Sequence, residues 1–274
     1  MSISAVTWVR FGFGLPFTIV YFLVIQYFAS NLPKINDWFL INCLIASIIQ
    51  IAGTFLLVWL FSHKNFAICT IFAKTEVIQA AIFGFVFFGE YLDFIGVLAI
   101  LIGVVGILII SLDTQNLNSK LLAKLTNKKF ALIGILSGSC FALCALFIKN
   151  ASLQLGSDSP FVGSSMTLLV MTLMQTLIVG IYLLIKQKEQ FCNMRKSFKI
   201  STLVGLTSTI GSIGWFAAFA LTNVAYVKTV GQIELLFSII ITHKIFKEKF
   251  SKQEKIGGIL VILSILTLVA KIQL

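Results

Sequence analysis

The sequence predicts an all-α integral membrane protein, a polytopic helical bundle of about nine spans arranged as two inverted repeats. Three observations carry that prediction. The first is composition: of 274 residues, 58% are hydrophobic and 11% charged, with mean hydropathy +1.02. A soluble domain carries roughly 25% charged residues, so this chain has too little polar surface to cover a water-soluble globule. The second is a series of apolar runs, each near the roughly 20 residues that a helix needs to cross the hydrocarbon layer. The third is a self-similarity between the two halves of the chain.

The apolar runs fall at 8–28, 38–61, 66–88, 92–111, 130–149, 160–185, 199–222, 224–245 and 256–272. The loops between them are short, and the two longest, 112–129 and 186–198, are polar and lysine-bearing. No loop is long enough to hold a soluble domain. The expected organisation is a first repeat at 1–111 with four spans, a cytoplasmic linker at 112–129, and a second repeat at 130–274 with five.

Orientation follows the lysines and arginines, which collect in cytoplasmic loops. Lys64, Lys120, Lys124, Lys128, Lys129, Lys186, Lys188, Arg195, Lys196, Lys199, Lys247, Lys249, Lys252 and Lys255 fall on one side, and Lys34, Lys149 and Lys271 on the other. Nine spans with this bias place Met1 in the cytoplasm and the C-terminus outside. The formal charge of +11 therefore reads as the charge of cytoplasmic membrane loops, and no nucleic-acid partner is expected. The first run is long enough to span and has neither a basic leader nor a small-residue cleavage site, so no cleavable signal is expected.

Cys43, Cys69, Cys140, Cys144 and Cys192 show no metal or disulfide spacing and read as small packing residues. His63 and His243 are isolated. No metal, no cofactor and no catalytic set is expected, and the chain does not read as an enzyme.

The repeat is defined by an ungapped alignment of residues 50–90 with 208–248. It places Gly53 on Gly211, Phe61 on Phe219, Asn65 on Asn223, Ala67 on Ala225, Glu76 on Glu234, Ile82 on Ile240, Phe88 on Phe246 and Glu90 on Glu248. Apolar stretches share Leu, Ile and Phe by accident, but rarely share Asn and two Glu at fixed spacing. A three-residue insertion then brings Ile95-Gly96 onto Ile256-Gly257, each opening a glycine-bearing final span. Inverted repeats are a common basis for alternating access, with a substrate site near the midplane.

The turn Ser62-His63-Lys64-Asn65-Phe66-Ala67 and its counterpart Ala220-Leu221-Thr222-Asn223-Val224-Ala225 carry a family resemblance. So do the acidic turns Phe88-Gly89-Glu90 and Phe246-Lys247-Glu248 and the spans of Gly96 and Gly257. In these features the chain resembles the drug/metabolite transporter superfamily, in its EamA-type branch. The resemblance implies ten helices in two inverted five-helix halves around a central cavity, exporting or importing metabolites, amino acids or drugs. Trp8-Val9-Arg10-Phe11 resembles the start of the family's second helix. That implies either a ten-helix fold lacking its first helix or a start set too late. The family keeps both termini cytoplasmic, whereas the lysine count here puts the C-terminus outside.

Ionisable groups inside spans are costly and usually mark solute or proton pathways. Glu76 and Glu234, near the middle of spans 66–88 and 224–245, are the leading candidates for proton or substrate binding; the alternative is a structural carboxylate bonded to a neighbouring helix. Lys74 and Lys228 are a second set, suited either to an anionic or zwitterionic solute or to neutralising a Glu of the other repeat. Lys74 and Glu76 stand about 200° apart around a helix and cannot share one narrow groove, whereas Lys228 and Gln232 share a face. Gln232, Gln79, Gln50 and Gln175 suit a cavity or helix–helix contacts equally. Trp59, Trp215 and Tyr226 could stack on a flat or cationic solute, or anchor and pack. Arg10 reads as snorkelling to the interface from the start of the first span. The recurring glycines, including the Gly134/Gly138 GxxxG pair, fit close helix packing and sliding alike.

The function these features point to is a secondary transporter of small polar metabolites or amino acids, proton-coupled, in the cytoplasmic (inner) membrane. The alternatives are an exporter of lipophilic cations or drugs, and a non-transporting membrane assembly subunit. The expected partners are the bilayer and a small-molecule substrate, with a monomer or homodimer as the assembly.

Overall fold

Why each helix starts and stops where it does is visible in its end residues. The computed structural model describes residues 2–29, 33–63, 73–112, 128–157, 159–246 and 251–272. In chain order the helices are α1 (Ile3–Gly12), α2 (Leu15–Phe28), α3 (Asp37–His63), α4 (Glu76–Phe88), α5 (Phe94–Leu112) and α6 (Lys128–Gln154). They continue with α7 (Pro160–Lys186), α8 (Glu189–Lys196), α9 (Phe198–Leu221), α10 (Val224–Val230), α11 (Ile233–Phe246) and α12 (Lys252–Ile272). Among the described residues there is no strand. Asn65–Ala67, Cys69, Lys247-Glu248 and linker residues 113–127, all of them used in the sequence argument, lie outside the described residues.

Ser2 caps α1, its hydroxyl accepting from Ala5 N at 3.3 Å, and Asn36 Oδ1 accepts from Phe39 N at 2.7 Å at the head of α3. α12 opens with a reciprocal capping box: Ser251 N donates to Glu254 Oε2 at 2.9 Å and Glu254 N donates to Ser251 Oγ at 3.0 Å. α4 ends at Gly89, whose φ of +66° is left-handed and favours glycine.

Among the described residues, six helices are long and apolar enough to cross a membrane: Ile3–Phe28, Asp37–Ser62, Lys129–Gln154, Pro160–Lys186, Phe198–Leu221 and Lys252–Lys271. Two shorter apolar helices, Glu76–Phe88 and Phe94–Ile110, accompany them. Four expectations change. The first span begins at Ile3 rather than residue 8 and is interrupted at Phe13–Gly14. The span expected at 224–245 is two helices, joined at Gly231–Gln232 by hydrogen bonds of i−3 type: Gln232 N to Thr229 O, Glu234 N to Gly231 O and Leu235 N to Gln232 O. In the span expected at 66–88, a turn at Lys74–Thr75 precedes α4. The loop expected at 186–198 contains the short helix α8.

The chain forms two compact units. The first comprises residues 1–59 and 143–222, and the second residues 60–142 and 223–274. Each therefore draws on both halves of the sequence.

In the first unit, α7 packs against α1, α2 and α9. Its core holds Ala5, Val9, Val179, Leu183 and Met194, with Trp8, Phe13, Ile51 and Phe191 around them. Trp8 Nε1 donates to Thr176 O at 3.0 Å, tying α1 to α7. In the second unit the most extensive pairing is α5 against α12, with α10 packed on α4, α5 and α12. Val77, Ala99, Ile100, Ala225, Tyr226 and Leu268 form its core.

Candidate functional site

The charged residues of the second unit sit at its helix breaks. Glu76 is the first residue of α4 and Glu234 the second of α11, so neither lies in the middle of an unbroken helix as expected. Each carboxylate stands at a helix N-terminus, where unsatisfied N–H groups favour negative charge by about 0.3–1 kcal/mol. Lys228 lies in the last turn of α10, where a cation is favoured for the converse reason. The charges match the ends that the breaks create.

They also pair across the repeats. Lys228 Nζ lies 3.1 Å from Glu76 Oε2, with side chains only 10% and 15% exposed. Lys74 pairs with Glu234, whose side chain is 54% exposed. The two pairs are chemically reciprocal but not equally sheltered, and Glu76–Lys228 is the one withdrawn from water. Thus the lysine of each repeat holds the glutamate of the other.

The remaining sequence candidates are placed as follows. Gln79 donates to Thr75 Oγ1 at 2.8 Å and accepts from Ser139 Oγ at 2.6 Å, joining α4 to α6. Gly138 of α6 makes that approach possible: a Cβ there would lie 3.1 Å from Ala73 O and 3.3 Å from Glu76 N. Gln232 is buried at the α10–α11 break, and among the described residues neither atom of its amide has a hydrogen-bond partner. Such a group is costly. Trp59 is half-buried in α3, and Trp215 lies tilted on Phe219 with ring centroids 5.6 Å apart. Lys271 occupies the face of Tyr226, its Nζ 4.3 Å from the ring centroid.

Tyr226 belongs to a polar clasp at one end of the second unit. Its hydroxyl donates to Asp93 Oδ1 at 2.6 Å and accepts from Lys271 Nζ at 2.8 Å, while Lys271 also pairs with Asp93. Beside it, Glu90 Oε2 accepts from Val224 N at 3.1 Å and Asn223 Nδ2 donates to Tyr91 O at 3.1 Å. The acidic turn of the first repeat thus caps a helix of the second. Hydrogen bonds from Lys271 and then Tyr226 lower the Asp93 pKa from 3.8 to about 2. A carboxylate with a depressed folded-state pKa contributes stability above its unfolded value and loses it as pH falls. Asp93→Asn is therefore expected to lower the unfolding temperature at about pH 6–7, with the difference shrinking as pH falls from about 4 through about 2. Thermal unfolding across that range, read for both proteins, checks the expectation.

The first unit holds a polar cavity that the sequence reading did not assemble, although it named Gln50 and Gln175 as candidates for one. Arg10, Phe11, Thr18, Gln50, Leu168, Thr172, Gln175, Ser208, Thr209, Ser212 and Phe216 line a cavity of about 10 Å³, room for about one water. Most of that lining is polar, and it lies between helices long and apolar enough to span a membrane. Because α1 starts at Ile3, Arg10 is in its last turn, roughly 10 Å along the axis at 1.5 Å per residue. That placement does not fit snorkelling from a helix start. Its Nε donates to Ser208 Oγ at 2.9 Å. Among the described residues no carboxylate pairs with it, against a cost of at least about 2.5–3.5 kcal/mol for a lone cation at mid-membrane. Gln175 Nε2 donates to Gln50 Oε1 at 2.6 Å at the same cavity. The break at Phe13–Gly14 borders it, where Thr209 Oγ1 donates to Gly14 O at 3.2 Å. The groups that wall Arg10 lie far along the chain, and the signal that could have found them is the run of small polar residues Thr207-Ser208-Thr209 and Ser212 in an apolar span.

Comparison with known proteins bears on the fold and the family. No curated protein matches the chain. A protein of known crystal structure shares the fold, with a TM-score of 0.69 at 12% identity, covering 98% of this chain and 89% of that one. The family model described as "EamA-like transporter family" matches residues 1–112 and 128–270, nearly the whole length. With its apolar helices and its repeat fold, the chain is a multi-pass membrane protein and belongs to the EamA-like transporter family.

Proposed function

We propose that the chain is a secondary transporter carrying small polar metabolites or amino acids across the cytoplasmic (inner) membrane by alternating access, coupled to protons. The polar cavity around Arg10 carries this reading. Side chains that need hydrogen-bonding partners are gathered inside a bundle of membrane helices, where each costs free energy unless it serves a polar solute or its own neighbours. The sheltered Glu76–Lys228 pair supports the coupling. A proton taken up by Glu76 would discharge the carboxylate and release the lysine, giving a two-state element that a pH gradient can bias.

The runner-up, export of lipophilic cations, needs an acid beside apolar lining. An apolar groove of the first unit, about 350 Å³ along Ser4, Thr7, Ile51, Phe55, Ile178, Val179 and Tyr182, has no acid in that lining. Favouring the polar solute on this ground leads to a direct test. The purified chain in sealed vesicles, screened with labelled amino acids and small metabolites under an imposed pH gradient, is expected to accumulate at least one of them. Accumulation should collapse with a protonophore. Uptake indifferent to the gradient would remove the coupling, and movement of lipophilic cations alone would favour the runner-up.

A further inference from the structure

We propose that the first unit binds an anionic phospholipid, with an acyl chain in the apolar groove between α1, α3 and α7 and the phosphate held by the basic segment that follows α7. The inference stands whatever solute the chain carries.

The groove selects the chain. Its volume is about 350 Å³. Ser4 and Thr7 of α1 and Val179 of α7 are buried at its base, whereas Phe55 of α3 and Ile178 and Tyr182 of α7 are exposed at its edges. Thr7 donates its hydroxyl to Ile3 O at 2.9 Å, so that polar group is spent within its own helix. No charged side chain belongs to the lining. A solute that needs hydrogen bonds gains little here. A hydrocarbon chain gains dispersion contacts with three helices, where a lipid on a flat helix face meets one.

The neighbouring charges select the head group. α7 ends at Lys186, which also closes an apolar span. Tyr182 lies four residues before it, on the same face and about 6 Å along the axis. An exposed tyrosine so near the end of a span is the usual anchor at headgroup level. Residues 186–199 carry Lys186, Lys188, Arg195, Lys196 and Lys199 against the single acid Glu189. All five cations are exposed, and among the described residues none is paired with a carboxylate. Basic loops orient a protein without binding any one lipid. This segment differs in being moored beside the groove. Ser2 N donates to Gln190 Oε1 at 3.1 Å, its hydroxyl donates to Gln187 Oε1 at 2.5 Å, and Phe191 of α8 stands edge-on to Trp8 with ring centroids 5.3 Å apart. Ser2 is two residues from Ser4 of the groove, so chain and phosphate sites adjoin.

The test uses the full chain in neutral detergent, with phosphatidylglycerol as the probe and phosphatidylcholine of the same acyl chains as the control. Phosphatidylglycerol is expected to be retained as a single molecule per chain in native mass spectrometry. It should raise the unfolding temperature saturably by roughly 2–4 °C over phosphatidylcholine. Replacing Lys186→Gln and Lys188→Gln together should weaken retention by at least about fivefold. Lys252→Gln with Lys255→Gln removes the same charge from the second unit and should leave retention unchanged. Ile178→Trp, at an exposed position, fills the groove and should also weaken retention. Equal retention of phosphatidylcholine overturns the proposal, as does an equal effect of the two lysine pairs or unchanged retention in Ile178→Trp. Should Ile178→Trp not fold, glycerol phosphate supplies the head group without a chain, and a thermal shift from it as large as the intact lipid's overturns the role of the groove.

Discussion

Lys228→Met is expected to destabilise the protein by about 3 kcal/mol, and adding Glu76→Leu to it is expected to restore most of that loss. The reason is asymmetry. Removing the lysine leaves a carboxylate that is 15% exposed with no cation, whereas removing both leaves apolar groups in an apolar setting. The helix N-terminus under Glu76 softens the first effect by less than about 1 kcal/mol. Unfolding measured for the two single variants and the double variant isolates the pair's own contribution. Flux should show the opposite pattern: Glu76→Gln keeps the size and hydrogen-bonding of the side chain and inserts normally, yet is expected to lose transport by at least about 100-fold. The Glu234→Gln variant should lose transport with a smaller change in stability, because that carboxylate is 54% exposed. Normal uptake by both variants would remove the glutamates from the mechanism.

Gly257→Val is expected to leave little folded protein. A Cβ at this position would sit 2.5 Å from Gly106 O and 3.0 Å from Ile110 N, both backbone atoms that no rotamer change can move aside. The reciprocal site behaves the same way, with a Cβ on Gly106 2.8 Å from Gly257 O. These residues lie in the broadest helix pair of the second unit, so relief requires α5 and α12 to separate along their length. Overpacking of this kind commonly costs about 1–3 kcal/mol, and a backbone clash on both sides lies at the upper end. By contrast, Gly211→Ala and Gly214→Ala meet nothing within 4 Å and should leave the unfolding temperature unchanged or slightly raised. Monodispersity and thermal unfolding of the four proteins provide the comparison.

These glycines show where sequence reading stops. Gly106 and Gly257 read like Gly211 and Gly214, because spacing along one helix does not reveal what the next helix brings near. The apolar runs were legible, since lipid imposes its requirement on every span separately. The repeat was legible because Asn and two Glu stand out in an apolar background. The breaks at Lys74–Thr75 and Gly231–Gln232 were not, as no proline marks them and hydropathy runs through without interruption. The pairing of Glu76 with Lys228 stood as one of two alternatives, because residues 152 apart meet only through tertiary structure. Arg10 was misread for a related reason: placing the first span at residue 8 put it at a helix start, whereas Ser2 caps a helix that begins five residues earlier.

The crossed pairing of lysines and glutamates bears on biosynthesis. Lys74 and Glu76 enter the membrane together, yet in the fold each is paired with a residue of the other repeat. Their partners Glu234 and Lys228 are made more than 150 residues later. Until then the nascent first half carries two uncompensated charges beside the bilayer, and the C-terminal half made alone would carry two more. Halves of the gene expressed separately should therefore be poor substrates for stable insertion and good ones for quality-control proteases, and co-expression should rescue both. Rescue by co-expression would mark these ionic cross-links as contacts that only the finished chain can make.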